Sequence, residues 1–206
     1  TSLVEDNLQD WLKGRGVNVT PLKPTAATKP QVILIGDWND SDVQPETRKD
    51  LLQRVARGSV AVFLKPAAFK QGGDAVGWLP LKNKGRLTNF SDWLYHKECV
   101  ARRHPVFDGL PGAGIMDMDY YGPVIPHEVF ADIDTPDQTI AAAFVTGYHD
   151  LPDDYGCSIL IGAWRSGEGR FILSTPYILE NLDAHPAADR LLVNLVQYSL
   201  AKGPVK

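Results

Sequence analysis

The run from Val32 to Ala68 constrains the fold more than any other part of the chain. Val32-Ile33-Leu34-Ile35 is a short apolar stretch closed by Gly36-Asp37, a helical segment runs from Pro45 to Arg57, and Val60-Ala61-Val62-Phe63-Leu64 is a second apolar stretch. Short apolar runs bounded by turn residues read as strands buried on both faces, and a helix between two of them makes one strand-helix-strand unit of an α/β sheet. In such sheets ligands sit beyond the carboxyl ends of the strands, where a strand-to-helix elbow can present a Ser or Cys nucleophile. Here the elbow reads Lys65-Pro66-Ala67-Ala68 and carries none.

The flanking segments extend this unit. Leu3, Val4, Leu8, Trp11 and Leu12 recur at helical spacing and Gly14 with Gly16 supplies a stop, so residues 3 to 14 read as an amphipathic helix. Val17 to Leu22 reads as a strand and Pro21 to Pro30 as a loop. A strand should precede such a helix, so the initial strand is expected to be absent or replaced by another segment. Gln71-Gly72-Gly73 and Gly77 mark a loop, and the polar stretch 81 to 98, interrupted by Phe90, Trp93 and Tyr95, reads as an irregular excursion. His104 to Pro111 is turn-rich. Val124 to Phe130, Thr139 to Thr146, Ser158 to Trp164 and Arg170 to Ser174 read as strands, the last two joined by a turn at Gly167 and Gly169. Pro186 opens a closing helix with an apolar face of Leu191, Leu192, Leu195, Val196 and Leu200. The order predicts an α/β sandwich of three layers: a mostly parallel sheet, some antiparallel late strands, and helices on its faces.

At 206 residues the chain is expected to form a single domain spanning residues 1 to 206, with a core that needs neither metal nor disulfide. A net charge of −4 argues against nucleic acid or an anionic membrane as partner, since both need a concentrated basic face. Lys82, Lys84 and Arg86, then Arg102 and Arg103, read as solvated loop charges. Cys99 and Cys157 make neither a disulfide framework nor a zinc pair, and no cofactor or metal is expected. No apolar run approaches the roughly 20 residues that span a bilayer. The start, Thr1-Ser2-Leu3-Val4, is neither a signal peptide nor a methionine start, which suggests a piece excised from a larger protein, cytoplasmic or exported.

Val32 to Asp37, the Pro45 to Leu64 unit with its Ala56-Arg57-Gly58-Ser59 turn, His104 to Pro111, and Gly169 to Leu200 with Asp189-Arg190-Leu191-Leu192 come one after another in a telling order. In that order the chain resembles the class I glutamine amidotransferase-like family, a flavodoxin-like fold, and within it the divergent branch appended to bacterial family 2 glycoside hydrolases. Active members place a Cys, flanked by glycines, at the elbow after the strand matching Val60 to Leu64, and a His-Pro-Glu motif after a late strand. The resemblance puts Lys65 and Pro66 at the first place, and Thr175-Pro176-Tyr177 at the second. Nucleophilic catalysis needs an activated nucleophile beside a base, so the family's glutaminase chemistry is expected to be absent. His185-Pro186 keeps a His-Pro pair, explained by Pro at the first position of the closing helix.

Other residues are candidates for ligand binding. Asp37, Trp38, Asp40 and Asp42 come after a buried strand, where the carboxylates could hold a hard cation or a sugar hydroxyl and the indole could stack on a sugar face, although such runs also build turns and helix caps. Asp117, Asp119, Tyr120, Tyr121, His127 and Glu128 form a second polar and aromatic group, read either as a carbohydrate or partner surface or as a strand-edge core. Tyr148, His149, Asp150 and Asp153-Asp154 flank a loop that could join it.

These residues support three readings. The first is a non-catalytic accessory domain of a β-galactosidase-like carbohydrate-active enzyme, packing against that enzyme's other domains or forming a homo-oligomer. The second is a carbohydrate-binding module using Trp38, Tyr120, Tyr121 and Trp164. The third is a stand-alone sugar-processing enzyme resembling the trehalose-utilisation proteins, with Asp37, His127 or His149 as acid-base groups.

Overall fold

The computed structural model describes residues 2–3, 6–22, 29–36, 45–89, 97–112, 114–146 and 155–201. In chain order these form β1 (Ser2–Leu3), α1 (Asp6–Gly14), β2 (Val32–Ile35), α2 (Pro45–Ala56), β3 (Val60–Phe63), β4 (Arg86–Asn89), β5 (Lys97–Ala101), α3 (Met118–Tyr121), β6 (Glu128–Ala131), β7 (Gln138–Thr146), β8 (Tyr155–Ser166), β9 (Gly169–Ser174) and α4 (Pro186–Leu200).

The strand-helix-strand unit read from the sequence is the centre of the sheet. β1, β2, β3 and β9 run parallel, in a register that places Ile33 beside Ala61 and Ala61 beside Phe171. Successive side chains point to opposite faces. Ile33, Ile35, Ala61, Phe63, Phe171 and Leu173 meet Leu51 and Val55 of α2 on one face. Leu34, Val62, Leu64 and Ile172 meet Leu8 and Leu12 of α1 and Leu191, Leu192 and Leu195 of α4 on the other. Both faces are covered, so the strands are apolar throughout and the fold is a three-layer, flavodoxin-like α/β sandwich.

Beyond β9 the sheet turns antiparallel. β8 and β9 form a hairpin with Ser166 opposite Gly169, and β8 also pairs antiparallel with β7 and β6. β5 extends the sheet from β7, and β4 from β6. On the α4 side, Asn194 ties the layers together: its amide donates to the carbonyls of Val106 (3.0 Å) and Asp108 (2.9 Å) and so holds the 3-10 turn Pro105–Phe107 on the helix.

Several expectations need correction. The initial strand is present: Ser2 and Leu3 pair with Leu34 and Ile35, and α1 begins only at Asp6. Val17 to Leu22 is not a strand; Val17 and Val19 pack against the core while Asn18 and Thr20 are exposed, an alternation that imitates a strand without its ladder. The stretch 81 to 98 holds β4 and the start of β5, edge strands whose pairing comes from distant partners. Val124 to Phe130 is strand only from Glu128, because Pro123 lies in a 3-10 turn and Pro126 cannot donate to a ladder. Of the two free cysteines, Cys99 is buried on β5 and Cys157, on β8, is exposed.

Candidate functional site

The carboxyl ends of β2, β3 and β9 lie side by side, and the residues just beyond each strand decide the chemistry of this edge. After β3 the chain enters a 3-10 turn, Pro66–Phe69, with Lys65 as its extended N-terminal residue. Proline fits the first position because no intrahelical donor is needed there. The turn is pinned from beneath: Phe69 is fully buried, its ring 4.5 Å from Phe63 and 5.1 Å from Trp78, and the Trp78 indole donates to the Ala68 carbonyl at 2.5 Å.

Lys65 reaches across the edge instead of into the core. Its ammonium lies 3.1 Å from the Glu180 carboxylate, in the segment beyond β9. Thr175, the first residue after β9, is buried, and both its amide (2.9 Å) and its hydroxyl (3.3 Å) donate to the Leu160 carbonyl. A hydroxyl spent on the sheet in this way does not reach a ligand. Tyr177 donates its amide to the Val124 carbonyl (3.0 Å), and its hydroxyl oxygen accepts from the His127 amide (3.0 Å). The His127 ring stands edge-on to the Tyr177 ring at 5.4 Å. Asn181 fastens the same segment by donating to the carbonyls of Tyr177 (2.8 Å) and Pro123 (2.9 Å).

A cleft of about 310 Å³ remains at this edge, bordered by Leu8, Trp11, Gly36, Lys65, Glu180 and Asp183. At its far rim Arg15 pairs with Asp183 (2.6 Å) and Asp189 (3.1 Å), while its guanidinium lies over the Trp11 ring at 3.5 Å. The Arg15 hydrogen bond holds the Asp183 carboxyl below its ordinary range. The cleft therefore carries ion pairs at both rims. An ammonium engaged by a carboxylate is not an activated nucleophile, the Thr175 hydroxyl is spent on the Leu160 carbonyl, and the Tyr177 hydroxyl meets His127 through its backbone amide.

The second group of candidates lies around α3. Asp117 caps this helix by accepting from the Tyr120 amide at 2.8 Å. Tyr121 is fully buried and its hydroxyl donates to the Pro111 carbonyl at 2.5 Å; burial, reinforced by Tyr120 and Asp117, pushes the phenol up to about 12. Tyr120 is half-buried, its ring 5.0 Å from Tyr121 and 5.4 Å from His185. His185 itself caps α4, its Nδ1 accepting from the Ala187 amide at 3.2 Å.

The structure thus brings His127 to Tyr177 and Tyr120 to Tyr121. It places Trp164 elsewhere: only 4% exposed, in the core on the α2 face, stacked on Phe171 at 5.6 Å with its indole donating to the Asp134 carbonyl at 2.9 Å. The tyrosines sit on a short helix and not on a strand edge. Asp37, Trp38, Asp40 and His149 lie outside the described residues, as do Asp42, Tyr148, Asp150, Asp153 and Asp154. Glu180, Asn181, Arg15 and Asp183 went unread in the sequence because each acts through a partner far along the chain. Among the described residues no group of three or more His, Cys, Asp or Glu is arranged to hold a metal ion, and no helix is long and apolar enough to cross a membrane.

No protein-family model matches the chain, and no curated protein matches it in sequence. Solved structures do resemble it. A cytoplasmic protein from Salmonella typhimurium aligns over 81% of this chain and 70% of its own, at 13% identity and a TM-score of 0.48. A protein described as ThuA-like from Bacteroides uniformis aligns over 83% of this chain and 69% of its own, at 16% identity and a TM-score of 0.49. A β-galactosidase from Bacillus circulans sp. alkalophilus aligns over 82% of this chain but only 22% of its own, at 12% identity and a TM-score of 0.34.

Proposed function

We propose that the chain is a non-catalytic amidotransferase-like accessory domain of a carbohydrate-active enzyme of the glycoside hydrolase type, with a packing or oligomerisation role. The observation that carries this reading is the Lys65–Glu180 ion pair at the position where the resembling family presents its nucleophile. The burial of Thr175 against Leu160 supports it from the other half of the family's site. An edge built for catalysis keeps a nucleophile within reach of a base and leaves room for a reacting atom. Here the side chains that could react are tied to carboxylate or backbone.

The sugar-platform alternative loses support from two of its four residues, since Tyr121 and Trp164 are buried in the core. Assays of the pure chain for glutamine hydrolysis and for cleavage of a panel of aryl glycosides test the proposal. No turnover above buffer is expected. Turnover abolished by a single substitution at Lys65, Thr175 or Tyr177 would overturn it.

A further inference from the structure

A second cavity, of about 710 Å³, opens at the opposite end of the sheet, where β2, β3 and β9 begin. Its walls include Val19, Val32, Val60 and Val196, and Leu200 stands on its border with 61% of its surface exposed. That volume lies within the range of small-molecule sites, which are mostly apolar with a few fixed polar groups.

Arg170, the second residue of β9, also borders this cavity. Its guanidinium lies over the Tyr198 ring at 4.4 Å and donates to the Tyr198 hydroxyl (3.2 Å) and carbonyl (3.0 Å). Tyr198 is itself held by donating to the Gln138 side chain at 2.5 Å. The positive charge is therefore immobilised, yet these partners are all neutral, and Arg170 forms no ion pair among the described residues. Its Nε is buried without a hydrogen-bond partner. Arg170 and Glu168 both stand on this lining, so the site is apolar along its walls with charged groups at one side.

We propose that this cavity binds a medium-chain aliphatic carboxylate, its tail along Val19, Val32, Val60 and Val196 and its head at Arg170. A guanidinium fixed in advance binds a carboxylate with little further loss of side-chain freedom. The buried tail supplies the rest of the affinity. The cavity lies away from the Lys65 edge, so carboxylate binding there is independent of the accessory-domain reading.

The test is a calorimetric titration of the full chain with sodium octanoate, decanoate and dodecanoate, each kept below its micelle-forming concentration. One-to-one binding is expected, tightening by up to about four-fold per added methylene. Arg170→Gln should weaken decanoate binding on the order of ten-fold, and 1-decanol should bind the parent chain more weakly by a similar factor. Leu200→Glu changes only an exposed rim residue; it should weaken decanoate more than decanol, which keeps the test open if Arg170→Gln melts without cooperativity. Equal affinity for decanol and decanoate, no effect of either substitution, or no saturable binding would overturn the proposal.

Discussion

The ammonium of Lys65 sits 3.1 Å from the carboxylate of Glu180, joining the end of β3 to the segment beyond β9 across the carboxyl edge of the sheet. This pair stands where a nucleophile would be presented, and it accounts for the chemistry of the edge: the strand ends meet in a polar closure.

The pair closes the edge without stabilising it much. The two side chains are 23% and 42% exposed, so water screens their attraction. A double-mutant cycle with Lys65→Ala and Glu180→Ala, read from urea midpoints, should give a coupling of about 0.2–1 kcal/mol that shrinks as salt is raised. A coupling of several kcal/mol would mean that the pair is a core element.

His104 makes stability depend on pH in a defined direction. It is only 6% exposed, and burial lowers its pKa, with Arg170 and Arg102 acting the same way while Gln138 and Asp108 oppose them. Its Nδ1 accepts from the Val106 amide at 3.2 Å, and Asn194 of α4 grips the same turn, so the folded state requires the neutral ring. A histidine whose folded pKa is depressed binds its proton more readily when unfolded. Stability should therefore be complete above the ordinary value of 6.5 and fall as the pH drops below it. Urea unfolding at a series of pH values between neutral and mildly acidic checks this, and His104→Asn should flatten the profile.

Trp164 should behave as a core residue. Trp164→Ala removes its stacking on Phe171 and its hydrogen bond to Asp134, and should cost about 3–5 kcal/mol in chemical denaturation. A substitution that left stability within error while abolishing binding to an oligosaccharide would place this ring on a surface instead.

Gly167 sets the hairpin between β8 and β9 against the end of α2. Its φ is +63°, and a Cβ there would lie 2.4 Å from the Ala56 carbonyl oxygen. Gly167→Ala should cost more than about 1 kcal/mol, since both backbone and neighbour resist it. A shift in thermal midpoint indistinguishable from zero would contradict the packing.

The parallel centre of the sheet was legible because Val32 to Ile35 and Val60 to Phe63 are buried on both faces and therefore apolar without interruption. The hairpin at Gly167 and the helix opened by Pro186 were legible for local reasons of turn and cap chemistry. Ser2–Leu3, Arg86–Asn89 and Lys97–Ala101 were not, because pairing with Leu34, Phe130 and Ala142 makes them strands and local pattern does not. At the candidate site the sequence revealed what Lys65 and Thr175 cannot do. It could not reveal that Glu180 answers Lys65, or that Leu160 holds Thr175, since both relationships exist only after folding. Trp164 lies in β8 next to exposed Arg165, a setting that suits a surface ring as well as a core one.

The most direct test of that closed edge is covalent. The chain is incubated with an electrophilic glutamine analogue and mapped by mass spectrometry over the peptides containing Lys65 and Thr175 to Tyr177. We expect no adduct at any of these residues beyond the level of a heat-denatured control. A stoichiometric adduct on Lys65, Thr175 or Tyr177, formed only by the folded chain, would show that this edge still activates a nucleophile and would contradict the account.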